Sequence, residues 1–211
     1  MIGGANSVIW DWNGTLLNDT HLSVSAMNRL LQKRNLNLLS ESTYKDVFSF
    51  PVKDYYQKVG FDFQSEAFEI PAMEFIQHYN AEVTSCELHL DAMQVLTQFR
   101  SRGIRQFILS AMEQKALNDC LKHSKINQFF EAVSGLDNHY AASKLENGKR
   151  LIAEMNLDAR EIVLIGDTIH DFEVAEELGC RCILISNGHQ SKKVLQKTSV
   201  TILDQIGQLL S

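Results

Sequence analysis

From about residue 87 to the C-terminus, short apolar runs alternate with segments whose apolar residues recur at helical spacing. This alternation restricts the chain to a parallel sheet with helices on both faces. Ala92, Val95, Leu96 and Phe99 mark a helix over Asp91–Arg102, and Gly103 follows as its stop. Beyond it the pattern predicts a strand over Ile104–Leu109, a helix over Glu113–Lys122, a short strand over Phe129–Val133 and a helix over Lys144–Met155. A strand over Glu161–Ile165, a helix over Asp171–Leu178 and a strand from near Arg181, closed by Ser186–His189, complete the series. One further strand, Ser7–Asp11, stands far upstream. The expected class is therefore α/β, a Rossmann-like three-layer core with a parallel sheet.

Between the first strand and the rest lies a stretch with helical patterns, His21–Lys33 and Ser65–Val83, and no convincing strand. It reads as an inserted helical cap domain over residues 17–86, leaving residues 1–16 and 87–211 as the core. The two prolines of the chain, Pro51 and Pro71, both fall in the insertion and are expected to mark a helix start and a helix kink or break.

Charge and composition remove several function classes. The formal net charge of -6 comes without a run of Lys and Arg, so a nucleic-acid module is not expected. No apolar run is long enough to span a bilayer, and the start lacks the pattern of a secretory leader, which together predict a cytoplasmic protein. Cys86, Cys120, Cys180 and Cys182 lack zinc-ligand spacing and read as buried free thiols.

In an open parallel sheet, ligands bind outside the carboxyl ends of the strands. Those ends carry Asp11 followed by Trp12-Asn13-Gly14-Thr15, then Ser110, and Gly166-Asp167-Thr168-Ile169-His170-Asp171, while a helix opens with Lys144. A carboxylate at Asp11 can attack phosphorus and divide one difficult hydrolysis into two easier displacements. Asp167 and Asp171 can hold a hard divalent cation through oxygen. Ser110 and the amides around it suit phosphate oxygens, and Lys144 supplies a compact positive charge. Thr15 is expected to hold the loop. Asn18, Asp19 and Thr20 are expected to cap the next helix, and Trp10 and Trp12, flanking Asp11, to pack on the side away from it. Lys149 and Arg150 read as solvated helix charges.

These residues carry a resemblance. VIWDWNGTLL is similar to the first motif of the haloacid dehalogenase superfamily, usually Asp-x-Asp-x-Thr after an apolar strand; Ser110 after FIL resembles the second, Lys144 the third and GDTIHD the acidic fourth. The order and the helical insertion agree, and the phosphoglycolate phosphatase-like branch is the nearest in pattern. The resemblance implies a Mg2+-dependent phosphatase acting on a small phosphate monoester, a small-molecule partner only, and a monomer or homodimer. It assigns catalysis to Asp11, Ser110 and Lys144 with Asn13 in the acid's place, phosphate binding to Gly14, Thr15, Ser110, Ala111 and Lys144, and the metal to Asp11, the carbonyl of Asn13, Asp167 and Asp171.

Three positions depart from the pattern. Asn13 replaces the second Asp, which in the family protonates the leaving alkoxide and later activates water; an amide does neither. Ala111 stands where relatives often have Asn, and Lys144-Leu145-Glu146-Asn147 lacks the prolines that often follow the motif lysine. His139 and His170 are the titratable candidates for the missing acid, though each is more simply a surface residue. Two alternatives stay open. One is halide displacement, which needs no second Asp but leaves Asp167 and Asp171 without a use, and the other is a phosphate-binding regulatory protein weakened in turnover by Asn13.

Overall fold

The structure, a computed structural model, describes residues 2–136 and 144–211. Six strands form one parallel sheet: β1 (Ser7–Trp10), β2 (Arg105–Glu113), β3 (Ala132–Leu136), β4 (Ile162–Gly166), β5 (Arg181–Ile185) and β6 (Thr201–Leu203), in the order β3-β2-β1-β4-β5-β6. Trp10 aligns with Ile108 on one side and Ile165 on the other, so β1 is central and ends between two strand ends. The strand order reverses at β1 and β4, the position at which such sheets open a crevice.

Alternation along the strands divides the core in two. Val8, Trp10, Ile108, Val163 and Ile165 face one layer, where they meet α5 (Ala92–Ser101) and α6 (Gln114–His123) through Val95, Phe99, Leu117 and Leu121. Ile9, Phe107, Leu109 and Leu164 face the other, against α7 (Lys144–Glu154) and α8 (Ile169–Leu178) through Leu151, Val174 and Leu178. The three-layer α/β core is as expected. Trp10 and Trp12 are fully buried on the first face, and Trp10 donates from its indole nitrogen to Gln106 Oε1 at 3.1 Å.

Helices α1 (Thr20–Lys33), α2 (Glu41–Val47), α3 (Val52–Lys58) and α4 (Glu69–Glu82) follow β1 and enclose a third apolar cluster of Met27, Leu30, Leu31, Tyr44, Tyr55, Tyr56 and Phe61. Pro51 immediately precedes α3, as a helix-start proline should. Pro71 corrects its expectation: it sits in the first turn of α4, where its missing N–H leaves no helical bond unmade, so the helix is not broken there.

Other boundaries differ too. β2 runs on through Ser110 and Ala111 to Glu113, with a register irregularity after Leu109. Phe129 lies in a short 3-10 turn rather than a strand, and β3 starts at Ala132. β6 and the four-residue helix α9 (Lys192–Leu195) have no counterpart in the sequence expectation.

Candidate active site

The turn after β1 is built around Asp11. Its backbone N–H continues the ladder to Ile165 O at 2.8 Å, which fixes the carboxylate at the sheet edge. Gly14 follows with φ +73°, a left-handed turn position, and a side chain there would collide with the Asp167 carboxylate. Thr15 Oγ1 stands between the two acids, 3.3 Å from Asp11 Oδ2 and 3.2 Å from Asp167 Oδ1. Thr15 is fully buried.

Lys144 opens α7 and points its ammonium group at Asp11 Oδ1 and at Asp171 Oδ1, the latter at 2.6 Å. All three side chains are buried. Burial works against the Lys144 charge, but Asp11 and Asp171 outweigh it and hold the ammonium firmly protonated. Burial pushes the Asp11 carboxyl up to about 6, with Lys144 opposing and Asp171 adding to the rise. Asp167 is pushed up to about 8, again by burial first, against the charge of His189 and with Asp11 and Asp171 reinforcing.

Asp171 is the third residue of a capping box: Thr168 caps α8, and Asp171 Oδ2 takes hydrogen bonds from the Asp167 and Thr168 amides and the Thr168 hydroxyl. It is therefore not itself the cap residue. Burial would raise its carboxyl, and Lys144 more than offsets this.

One ligand atom from each of Asp11, Asp167 and Asp171 can be chosen so that all lie within 4.8 Å of one another. The set is oxygen-only, hard and negatively charged, and two of its carboxyls are raised, by burial first and by their neighbours' charge after it, an effect a cation would offset. This chemistry fits the magnesium ion implied by the resemblance. All three acids have both oxygens engaged by the protein, and Asp171 Oδ2 alone takes three hydrogen bonds at the start of α8.

Ser110 is fully buried at the end of the regular part of β2, where its Oγ accepts from Met112 N at 3.0 Å and lies 3.4 Å from Asn13 Oδ1. Ala111 is exposed and offers the cavity its methyl group and backbone. Asn13 uses its amide nitrogen on Tyr79 Oη at 2.6 Å and on Asp19 Oδ2 at 3.2 Å. His170 contacts the Phe50 ring, with centroids 4.7 Å apart, and Glu173 at 3.5 Å, so its partners lie away from Asp11. His139 lies outside the described residues. Lys149 is exposed and pairs with Glu146 at 2.8 Å.

Asp19 corrects its expectation. It precedes α1 but makes no side-chain cap bond; instead its buried carboxylate turns back to the site. Oδ1 accepts from Gly14 N at 2.7 Å and faces His189 Nε2 at 3.3 Å, while Oδ2 accepts from Tyr79 Oη at 2.5 Å and from Asn13. Burial would raise this carboxyl, but the charge and hydrogen bond of His189, with Tyr79 and Gly14, hold it below the usual carboxylate range.

His189 was likewise unforeseen. Its backbone N–H donates to Asp167 Oδ2 at 2.5 Å, and its ring reaches Tyr44 Oη at 3.0 Å. Burial lowers its basicity, yet the Asp19 charge and hydrogen bond raise it to about 9. A signal existed: His189 follows an apolar strand, the same placement that singled out Asp11.

A cavity of about 300 Å³ opens above these groups. Asp11, Asn13, Asp167 and Lys144 line one end, and the remainder is walled mainly by aromatic and aliphatic side chains of α1–α4 and their connections.

A family model described as haloacid dehalogenase-like hydrolase matches residues 8–185. The tyrosine-protein kinase PtkA of Mycobacterium tuberculosis is 21% identical over 198 residues, covering 93% of this chain and 67% of that protein. The pyrophosphatase PpaX of Bacillus mycoides is 23% identical over 212 residues, covering 97% and 95%. Among solved structures, a haloacid dehalogenase-like family hydrolase from Streptococcus pneumoniae superposes with a TM-score of 0.83 at 18% identity, over 98% of this chain and 97% of that one. At that identity the likeness speaks to the fold.

Proposed function

Because the chain belongs to the haloacid dehalogenase-like hydrolase family, we propose that it is a magnesium-dependent phosphatase that hydrolyses a small phosphate monoester through an aspartyl phosphate on Asp11. The observation that carries this reading is the buried contact of Lys144 with both Asp11 and Asp171, beside Asp167, at the reversal point of the sheet. A nucleophilic carboxylate needs its charge stabilised without being consumed, and it needs cationic and N–H donors where phosphate charge develops.

In the first step an Asp11 oxygen bonds to phosphorus as the phosphorus–oxygen bond of the leaving group breaks. In the second, a water oxygen bonds to phosphorus, the Asp11–phosphorus bond breaks and inorganic phosphate departs. Lys144 stays protonated throughout and keeps Asp11 oriented. Ser110, with the amides that follow it, receives phosphate oxygens, and Gly14 and Thr15 hold the loop that presents Asp11. A bound magnesium ion, held by Asp11, Asp167 and the carbonyl of Asn13 with Asp171 in support, would offset the charge of phosphate and carboxylates. Residues 17–86 act as a cap that excludes water over a core of residues 1–16 and 87–211. The names of the relatives, a pyrophosphatase and a kinase, are both compatible with phosphoryl chemistry at such a site.

Asn13 favours a second reading, a phosphate-binding regulator with little turnover, because its amide nitrogen is tied to Asp19 and Tyr79 and carries no proton to transfer. Phosphate release from acetyl phosphate, with and without magnesium, separates the two. Magnesium-dependent release that Asp11→Asn abolishes is the outcome expected of the phosphatase; no release from the native protein supports the regulator.

A further inference from the structure

The cavity lining carries information about the leaving group that the catalytic residues do not. Part of the lining comes from α2, α3 and the segment joining them, through Tyr44, Phe48, Phe50 and Tyr55, and part from α4, through Ala72, Phe75, Ile76 and Tyr79. The rings contact one another: Phe48 lies 5.3 Å from Tyr55 and 5.5 Å from Phe50, and Phe75 stacks on Tyr79 at 5.7 Å with 13° between the planes. These are surfaces for a flat apolar group.

Charge on the lining points the same way. Lys144 is the one Lys or Arg on it among the described residues, it is committed to Asp11 and Asp171, and residues 137–143 contain neither residue type. Glu113, which caps α6, adds a further carboxylate to the lining. A leaving group that carries its own carboxylate would be desolvated here beside acids and without a free cation, at high cost. Tyr55 Oη, buried on the wall and without a hydrogen-bond partner among the described residues, can serve one neutral polar substituent.

The proton inventory agrees. Asn13 has no acidic proton, and Asp19 accepts from Gly14, Tyr79 and Asn13 and faces the imidazole of His189, so it is an acceptor on both oxygens. His189 has both ring nitrogens engaged, on Asp19 and on Tyr44, so none of these groups offers a proton to a leaving oxygen, and a leaving group that departs readily as an anion is favoured. Phenols ionise near pH ~10, whereas water, whose pKa aliphatic alcohols approximate, ionises near ~15.7.

We propose that the substrate is a small aryl phosphate, an uncharged phenol esterified to phosphate, bound with its ring against the lining from α2–α3 and α4 and its phosphate at Asp11. This rests on the phosphatase reading above and narrows it. The Asp11–phosphorus bond forms as the phosphorus–oxygen bond to the ring breaks, the bonding pair leaves with the phenolate, and solvent supplies its proton after release.

The test compares magnesium-dependent phosphate release from phenyl phosphate, 4-carboxyphenyl phosphate, phosphoglycolate and acetyl phosphate, in the native protein and in Ile76→Lys. Phenyl phosphate is expected to exceed phosphoglycolate in kcat/KM by about 100-fold or more. It is also expected to exceed 4-carboxyphenyl phosphate by about tenfold, chiefly through KM, because the two phenols leave similarly and differ in the charge brought into the cavity. Ile76→Lys should reverse this second preference, read as the ratio of kcat/KM for the two aryl esters within that variant. Release from acetyl phosphate without preference for phenyl phosphate, or with phosphoglycolate favoured, overturns the substrate assignment and leaves the phosphatase reading standing. No release from any ester, acetyl phosphate included, removes the phosphatase reading and the assignment with it.

Discussion

An amide at position 13 offers two hydrogens and one oxygen, and its neighbours use both kinds of atom: Tyr79 and Asp19 take the nitrogen, and Ser110 lies 3.4 Å from the oxygen. Asn13→Asp would place a second carboxylate against Asp19, so one proton would be shared between them as a pair, as in other carboxylate dyads. That shared proton is available to a leaving group. Turnover of an alkyl phosphate such as glycerol phosphate is expected to rise on the order of 100-fold in Asn13→Asp, with a much smaller change for phenyl phosphate; parallel phosphate-release assays on the two esters check it. Lys144→Met probes the opposite corner. It leaves the Asp11 and Asp171 charges buried without their cation and is expected to abolish turnover and to cost about 3–5 kcal/mol in denaturant unfolding. Asp11, Lys144, Asp167 and Asp171 were legible in the sequence because each lies at a strand end or opens a helix, where backbone topology alone dictates convergence. Asp19 and His189 were not, since their meeting joins residues 170 positions apart, and a short acid before a helix looks locally like a cap.

At the scale of elements, the segment following β5 acts as a tether between the sheet and the inserted helices. Ser191 binds the Lys45 carbonyl at 3.0 Å and Asp46 at 2.6 Å, Gln190 donates to the Phe48 carbonyl at 2.9 Å, and His189 meets Tyr44. The same segment delivers the His189 amide to Asp167, so cap position and site geometry are mechanically joined. Tyr44→Phe keeps the ring packing and removes one buried hydrogen bond; a loss of about 1–2 kcal/mol is expected in chemical denaturation, with a raised KM for the ester. The elements that escaped the sequence reading are the short ones. α2 and α3 have seven residues each and β6 has three, too few to express a helical or alternating period. The long helices and the buried strands, whose periods repeat, appear close to their expected places.

For the molecule as a whole, the crowded acids and the buried imidazole make stability a function of pH and metal. Without metal the folded protein holds protons on Asp11 to about pH 6, on Asp167 to about pH 8 and on His189 to about pH 9, against ordinary values of 3.8, 3.8 and 6.5. In each case the unfolded chain gives up its proton first, so raising the pH favours unfolding. The His189 contribution is complete below pH 6.5 and is lost through about pH 9, and the penalty of the two acids develops between pH 3.8 and about 8. Metal-free protein is expected to melt several degrees lower at about pH 9 than at about pH 5, and magnesium to restore more at the higher pH, where the carboxylates are free to bind it; melting curves with and without a chelator measure both.

The covalent step on Asp11 underlies the expectations about turnover, and it can be trapped. Protein mixed with acetyl phosphate and magnesium, quenched in acid within the first turnover and digested, should carry one hydroxylamine-sensitive phosphoryl group on the peptide containing Asp11, and Asp11→Asn should carry none. Phosphate release that proceeds with no such adduct, or with the phosphoryl group on another residue, would contradict the account.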